Sequence, residues 1–140
     1  RCMIMAQTGQ YNLPRSLKRD DPVAAMLAVA RFAEAALSFV FLCNSRYMPF
    51  YKWAARLAGD LPVLGPQVVR TLRLLALAPM QAGHEAQITE AVEDFCTQVA
   101  EHLRSTGLSA ASGNWLWEHG PQIMRHVEET ALLRMDMLQG

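Results

Sequence analysis

Apolar residues recur along most of the chain with the three-to-four-residue period of an α-helix, and no segment shows a convincing alternation typical of a strand. The clearest pattern is in residues 84–106, whose apolar positions are Ile88, Val92, Phe95, Val99 and Leu103. The same segment predicts an acidic outer face, formed by Glu85, Glu90, Glu93, Asp94 and Glu101. The sequence therefore predicts an all-α fold, an antiparallel helical bundle of five to six helices with short connections.

Residues 22–42 form the longest apolar stretch and are predicted to be the central helix of the bundle. Asp20-Asp21 precedes Pro22, which suits a helix start, because Asp caps free backbone N–H groups and Pro fits the first turn. The strongly polar residues of the stretch, Arg31, Glu34 and Ser38, share one narrow stripe. Since a charged pair in mid-helix is costly in a bilayer, we expect a buried helix of a soluble protein and no membrane partner.

Before the central helix, residues 1–10 are predicted to be a helix end that stops near Gly9. Residues 11–19 are predicted to be a polar loop, because Pro14 disfavours a helical conformation at Leu13. After it, a connector at 44–48 leads to a short helix from Pro49 to Gly59. Its predicted core face is Phe50, Trp53, Ala54 and Leu57.

The remaining helices are placed by the same periodicity. A helix at 66–78 is predicted to turn Val69, Leu72 and Ala76 inward and Arg70 and Arg73 outward. A helical turn at 115–119 is predicted to be broken by Gly120-Pro121. A last helix at 122–137 is predicted to place four residues inward: Met124, Val127, Ala131 and Met135.

Composition bounds the chain to one globular domain, residues 1–140, with 51% hydrophobic and 19% charged residues. The first residues already resemble a helix in progress and the chain does not begin with Met, which indicates the C-terminal fragment of a longer protein. The odd count of three cysteines without a CxxC pair argues against a disulfide framework and favours a cytoplasmic location.

Charge is unevenly distributed although the net charge is zero. Residues 1–60 carry eight Lys/Arg and four acids, whereas residues 61–140 carry five Lys/Arg and nine acids. The basic half could meet an anion such as a phosphate, or the two halves could simply attract each other. The acidic half argues against a nucleic-acid surface over the whole chain.

Catalytic and metal-binding motifs are missing from the sequence. There is no P-loop, Rossmann fingerprint, GxSxG, HExxH or Cys/His cluster, and the four histidines are expected at the surface or at helix caps. Adjacent acids on a helix point apart, so Glu93-Asp94 does not make a metal-holding pair. We therefore assign no catalytic and no metal-binding residues, and the sequence leaves open whether the protein is an enzyme.

Cations and aromatics are concentrated in two segments, and these supply the candidate site residues. The first segment offers Arg15, Lys18 and Arg19 as phosphate contacts. The second segment, at 44–53, offers Arg46 and three residues for a base or acceptor: Tyr47, Lys52 and Trp53. The alternative is that the cations are ordinary solvated surface and that Trp53 belongs to the core.

The segments Gly-Gln-Tyr-Asn-Leu-Pro-Arg-Ser-Leu-Lys-Arg (9–19), 42–53 and Leu61-Pro62, which flank and follow the apolar helix, resemble a bacterial domain of unknown function. That domain follows a minimal nucleotidyltransferase domain in longer proteins. It is also similar to the C-terminal helical domain of kanamycin nucleotidyltransferase. The resemblance is clearest over residues 1–65.

The resemblance implies a helical domain packed against an N-terminal nucleotidyltransferase domain of the same polypeptide. The Asp-x-Asp pair that holds magnesium would belong to that domain, since no Asp-x-Asp occurs here. Magnesium and a nucleoside triphosphate are thus implied for the full-length parent, a transferase. This chain would be its accessory part, with Arg15, Lys18 and Arg19 near the phosphates and Tyr47, Lys52 and Trp53 near the acceptor or base.

Two other functions are weighed against this accessory role. One is a stand-alone helical interaction or dimerisation module without catalysis, for which eight methionines and three tryptophans could supply an adaptable apolar surface or homodimer face. The other is a helical ribonuclease of the kind paired with minimal nucleotidyltransferases. Such enzymes use an Arg followed by a His four to six residues later, and no Arg here has that spacing.

Overall fold

A computed structural model describes residues 1–78, 80, 83–129 and 138, and this part of the chain contains six helices and no strand. Helix α1 covers residues 2–18 and consists of α-helical Cys2–Met5, π-helical Ala6–Asn12 and α-helical Leu13–Lys18. The others are α2, Pro22–Cys43; α3, Tyr51–Ala58; α4, Gly65–Leu77; α5, Glu85–Ser105; and α6, Leu116–Met124. The prediction of an all-α fold is confirmed.

Helix α1 runs straight through the segment where a helix stop and a loop were predicted, so both predictions are wrong. Gly9 is buried, and a Cβ atom there would overlap the ring of Phe32 in α2. Gly9 therefore permits a close approach of two helices and does not end one. Pro14 follows the π-helical turn in the first turn of the next α-helical segment, where its missing N–H costs little.

Helix α2 begins and ends as its sequence predicts. The Asp21 carboxylate accepts a hydrogen bond from the Ala24 N–H at 2.9 Å, which confirms the predicted cap. At the other end the Asn44 side chain bonds to the Val63 backbone in both directions, at 2.9 and 3.0 Å. This amide pairing ties the end of α2 to the connector between α3 and α4.

The predicted central position of α2 holds for only part of its length. Residues 35–41 are all buried, but Val23, Met26 and Leu27 in the first half are exposed. By length and composition alone α2 could cross a membrane, but the core helix of a soluble protein meets the same criteria; half of its most apolar window is buried. The N-terminal half of α2 is thus covered on one side, by α1.

Helix α5 supplies the opposite side of the core. Its five predicted inward residues are all at most 1% exposed, which confirms that face. Phe95 meets Phe32 of α2 edge to face, with ring centroids 6.3 Å apart and planes at 87°. The core is therefore built where α1, α2 and α5 meet.

Helix α4 is rotated by about one residue from its predicted orientation. Val68, Thr71 and Leu75 are buried, whereas the predicted Val69 and Leu72 are half-buried against the core and Ala76 is exposed. Arg70 and Arg73 are exposed as predicted. Gly65 lies so close to the Ala58 carbonyl that a Cβ would overlap it. This contact with α3 fixes which side of α4 faces the bundle.

Helix α6 continues across Gly120-Pro121, so the predicted break there is wrong. A Cβ at Gly120 would overlap the Met3 side chain of α1, which again marks a close helix contact. The helix ends at Met124 and residues 125–129 are not helical, so the predicted helix at 122–137 is wrong over that part. Ala131 and Met135 lie outside the described residues.

Candidate functional site

The two groups of predicted site residues lie near opposite ends of helix α2. Lys18 and Arg19 precede its N-terminus, whereas the Arg46 N–H donates to the Phe41 carbonyl at 2.9 Å and so anchors the second group at its C-terminus. A helix of 22 residues is about 33 Å long at 1.5 Å per residue. The structure therefore does not bring Arg15, Lys18 and Arg19 together with Tyr47, Lys52 and Trp53.

Residues 46–57, named here the aromatic corner, form an exposed surface and not the predicted core face. Tyr47, Phe50 and Tyr51 are 95%, 65% and 75% exposed, and Trp53 and Leu57 are about half exposed. In α3 only Ala54 and Ala58 are buried, so the core prediction holds for Ala54 and is wrong for the larger side chains. The reason is that α3 approaches α2 and α4 through its alanines.

Cations accompany the aromatics in the aromatic corner. The Lys52 Nζ lies 5.2 Å from the centre of the Trp53 ring, within the range of a cation–π contact. Arg46 and Arg56 are exposed as well, and residues 44–57 contain no acid. The corner is thus a basic and aromatic surface.

The other group, Arg15, Lys18 and Arg19, lies on the exposed side of α1 near its C-terminal end. The Arg15 guanidinium carbon lies 4.7 Å from the centre of the Tyr11 ring, four residues earlier in the helix. Lys18 and Arg19 are exposed at the same end. Stacking on Tyr11 holds the Arg15 side chain while its N–H groups can still reach an anion.

Tyr11 also lines a cleft of about 300 Å³, named here the aromatic cleft, together with Gln7, Trp115 and Trp117. Gln7 and Tyr11 lie four residues apart in the π-helical segment, while the two tryptophans lie at the start of α6. The cleft therefore combines residues about a hundred positions apart in the sequence. Its lining is three aromatic rings and one amide.

Gln10 positions the two sides of the aromatic cleft. Its Nε2 donates to the Glu93 carboxylate at 2.8 Å and to the Asn114 carbonyl at 3.1 Å. Its Oε1 accepts from the Leu116 N–H at 3.0 Å. One side chain thus ties α1 both to α5 and to the segment that carries Trp115.

The loop before α6 is held from the other side by Arg104. Its guanidinium donates to the carbonyl oxygens of Ala111 and Gly113, at 3.3 and 2.9 Å, and to the Asn114 side chain at 3.2 Å. These bonds order a segment that has no regular secondary structure. The tryptophan side of the cleft is therefore preorganised.

Sequence reasoning missed all four lining residues of the cleft as site residues, and Tyr11 was placed only in the predicted polar loop. Trp115 and Trp117 were assigned only to a helical turn, and Gln7 to a helix end. The available signal was two tryptophans within three residues of an otherwise polar segment. The pairing with Tyr11 could not be predicted, because it depends on how α1 and α6 pack.

His119 departs from the expectation that the histidines lie at the surface or at caps. It is fully buried, with Nε2 at 2.9 Å from the Gly113 carbonyl, and its Nδ1 has no partner among the described residues. No three His, Cys, Asp or Glu side chains are placed to hold a metal ion within the described part of the chain. The histidine thus supports the loop before α6.

A second cavity, of about 310 Å³, lies beside Cys2 and Cys43 and is lined mainly by apolar side chains. All three cysteines are free thiols. Burial raises the pKa of Cys2 to about 11 and that of Cys43 to about 12, and it raises the pKa of Cys96 as well. Burial thus favours the protonated thiol, the less reactive form, in the two cysteines beside the cavity.

A family model described as a domain of unknown function (DUF4037) matches residues 1–54. The matched range contains α1, α2 and the start of α3, with all six predicted site residues as well as Gln7 and Tyr11. It supports the resemblance to a domain of unknown function over this part of the chain. No curated protein and no solved structure matches the sequence.

Proposed function

We propose that this chain is the helical, substrate-binding part of a nucleotidyl-transferring protein. In this role it presents cations and aromatic rings to a nucleotide and its acceptor. The carboxylates that hold magnesium would belong to an N-terminal nucleotidyltransferase domain of the same polypeptide. Because the sequence contains no Asp-x-Asp pair, magnesium and the chemical step are assigned to that domain. A reducing cytoplasm would suit the three free thiols.

The observation that carries the proposal is the exposed Arg15 stacked on Tyr11 at the edge of the aromatic cleft. A guanidinium presents a fork of N–H donors that matches phosphate oxygens, and stacking reduces the freedom lost on binding. Lys18 and Arg19 add charge at the same end. An anionic ligand with a planar ring fits this combination.

The length of α2 limits which parts of the substrates the two basic surfaces can contact. A reacting pair of atoms must approach within about 3–3.5 Å, so surfaces near opposite ends of a helix about 33 Å long cannot both contact the reacting groups. We assign the nucleotide to Arg15, Lys18 and Arg19. Tyr47, Lys52 and Trp53 would then contact a remote part of a large acceptor.

The test is nucleotidyl transfer by the natural protein that contains this chain. Arg15→Ala should lower kcat/KM about 10- to 100-fold, the equivalent of one charge-assisted hydrogen bond, without a change in Tm. Lys52→Ala should have a smaller effect, expressed when the acceptor is limiting. Arg70→Ala, an exposed cation of α4 outside both surfaces, is the matched control. Wild-type kinetics in Arg15→Ala would contradict the proposal.

A second candidate function, an interaction or dimerisation module, is favoured by the exposed apolar residues of α2. Val23, Met26 and Leu27 share one face and are each more than half exposed. Apolar surface of this kind commonly marks a contact with another protein. Sedimentation equilibrium over a wide concentration range tests the homodimer. A strictly monomeric protein whose Met26→Ser variant behaves identically would count against it.

A further inference from the structure

We propose that the aromatic cleft binds the base of a mononucleotide, with the phosphates directed to Arg15. The inference rests on the proposed function and gives it a ligand class and a location. It also adds four residues from outside the predicted set: Gln7, Tyr11, Trp115 and Trp117.

The shape and lining of the cleft suit a planar ring. Its volume of about 300 Å³ is at the lower end of the range for small-molecule sites, about 300–1,000 Å³. Tyr11, Trp115 and Trp117 supply π faces, on which any base can stack. Trp117 and Tyr11 are each partly exposed, so a ligand can reach both rings from solvent.

Gln7 supplies the polar contact that a base requires. Its side-chain amide carries one acceptor oxygen and an NH₂ donor, which match the adjacent donor and acceptor groups on a base edge. No hydrogen bond engages this amide among the residues that the structure describes. The amide is thus available to read a ligand in the cleft.

The Arg15 cation stacked on Tyr11 favours an anionic ligand. Three aromatic rings could also hold a quaternary ammonium group, but Arg15 on Tyr11 would repel a cation and none of the four lining residues is acidic. A neutral sugar could stack on the rings but would leave the guanidinium unused. A nucleotide uses the rings, the amide and the cation together.

The test compares ligands with and without a base, by titration calorimetry on the protein without added magnesium. ATP should bind roughly 5- to 100-fold more tightly than inorganic triphosphate, the range expected for stacking of one base. Trp117→Ala and Gln7→Leu should reduce this ratio toward one while leaving triphosphate affinity unchanged. Tyr51→Ala removes a more exposed aromatic outside the cleft, 75% exposed against 36% for Trp117, and should leave the ratio as it is.

The outcomes separate this inference from the proposed function. Equal affinities for ATP and triphosphate, both lost in Arg15→Ala, would overturn the base site and leave the phosphate site intact. A ratio that survives both Trp117→Ala and Gln7→Leu would also overturn it. A single-stranded oligonucleotide that binds more than tenfold tighter than ATP would overturn the assignment to a mononucleotide.

Discussion

The two ends of helix α2 carry similar residue types in different settings. Beside its N-terminal half, Arg15 stacks on Tyr11, and Tyr11 lines a cleft whose other side is formed by Trp115 and Trp117. At its C-terminal end, the aromatic corner exposes Tyr47, Phe50 and Tyr51, and no cleft residue lies among them. A stacked cation–aromatic pair is present at both ends.

The comparison shows that residue type alone does not make a small-molecule site. The two sides of the aromatic cleft are held together by the Gln10 hydrogen bonds, which join α1 to Glu93 of α5 and to Leu116 of α6. Helix α3, which carries most of the corner, packs against its neighbours through Ala54 and Ala58 and leaves its large side chains in solvent. We infer that the first surface is preorganised for a small ligand, whereas the second suits only a large partner or acceptor.

The largest expected difference between the two ends is in stability. Phe32 is fully buried beneath Gly9 and against Phe95, so Phe32→Ala should lower the free energy of unfolding by about 3–5 kcal/mol. Phe50→Ala in the corner should cost less than about 1 kcal/mol, because the ring is exposed and contacts mainly Tyr51. Urea denaturation measures both. Equal losses of unfolding free energy in the two variants would show that Phe50 contributes to the core as much as Phe32 does.

A matched pair of glycines sharpens the same comparison. Gly9→Ala should destabilise by about 1–3 kcal/mol, because its Cβ would meet the Phe32 ring. Gly59 is the C-cap of α3 and has φ −58°, and a Cβ atom there would make only ordinary contacts. Gly59→Ala should therefore stabilise the protein by about 0.4–1 kcal/mol. Thermal unfolding of the two variants gives the signs. If Gly9→Ala were stabilising, it would contradict the close contact between Gly9 and Phe32 that explains why α1 continues past Gly9.

The smallest expected effect is in thiol reactivity at the C-terminal end of α2, where Cys2 and Cys43 line the same cavity. Cys2 begins α1 and Cys43 ends α2, and burial raises the pKa of both thiols. Because the thiolate is the reactive form, Cys43, with a pKa of about 12, should react with iodoacetamide at pH 8 roughly a thousandfold more slowly than in the unfolded chain. The rate should rise with pH through the range 7–9. Mass spectrometry of native and urea-unfolded protein checks this, and fast native alkylation of Cys43 would contradict its burial.

The sequence by itself determined the helical class and the elements whose signals are local. The start of α2 follows from Asp21 and Pro22, and the inward face of α5 follows from an apolar repeat on a strongly amphipathic helix. The sequence also singled out Arg15 as a site residue, because a cation in a polar segment beside aromatics is visible without a fold. These features depend on neighbours within a few residues.

Only the tertiary structure decided what Gly9, Gly120 and the aromatics of α3 do. A glycine within a helical pattern signals a stop or a close contact, and the choice depends on Phe32 and Met3, which belong to other helices. Phe50 and Trp53 have the spacing of a core face, but the close approach through Ala54 and Ala58 leaves them outside. The aromatic cleft likewise exists because α1 continues past Gly9 and meets α6, and a contact between residues a hundred positions apart has no local signal.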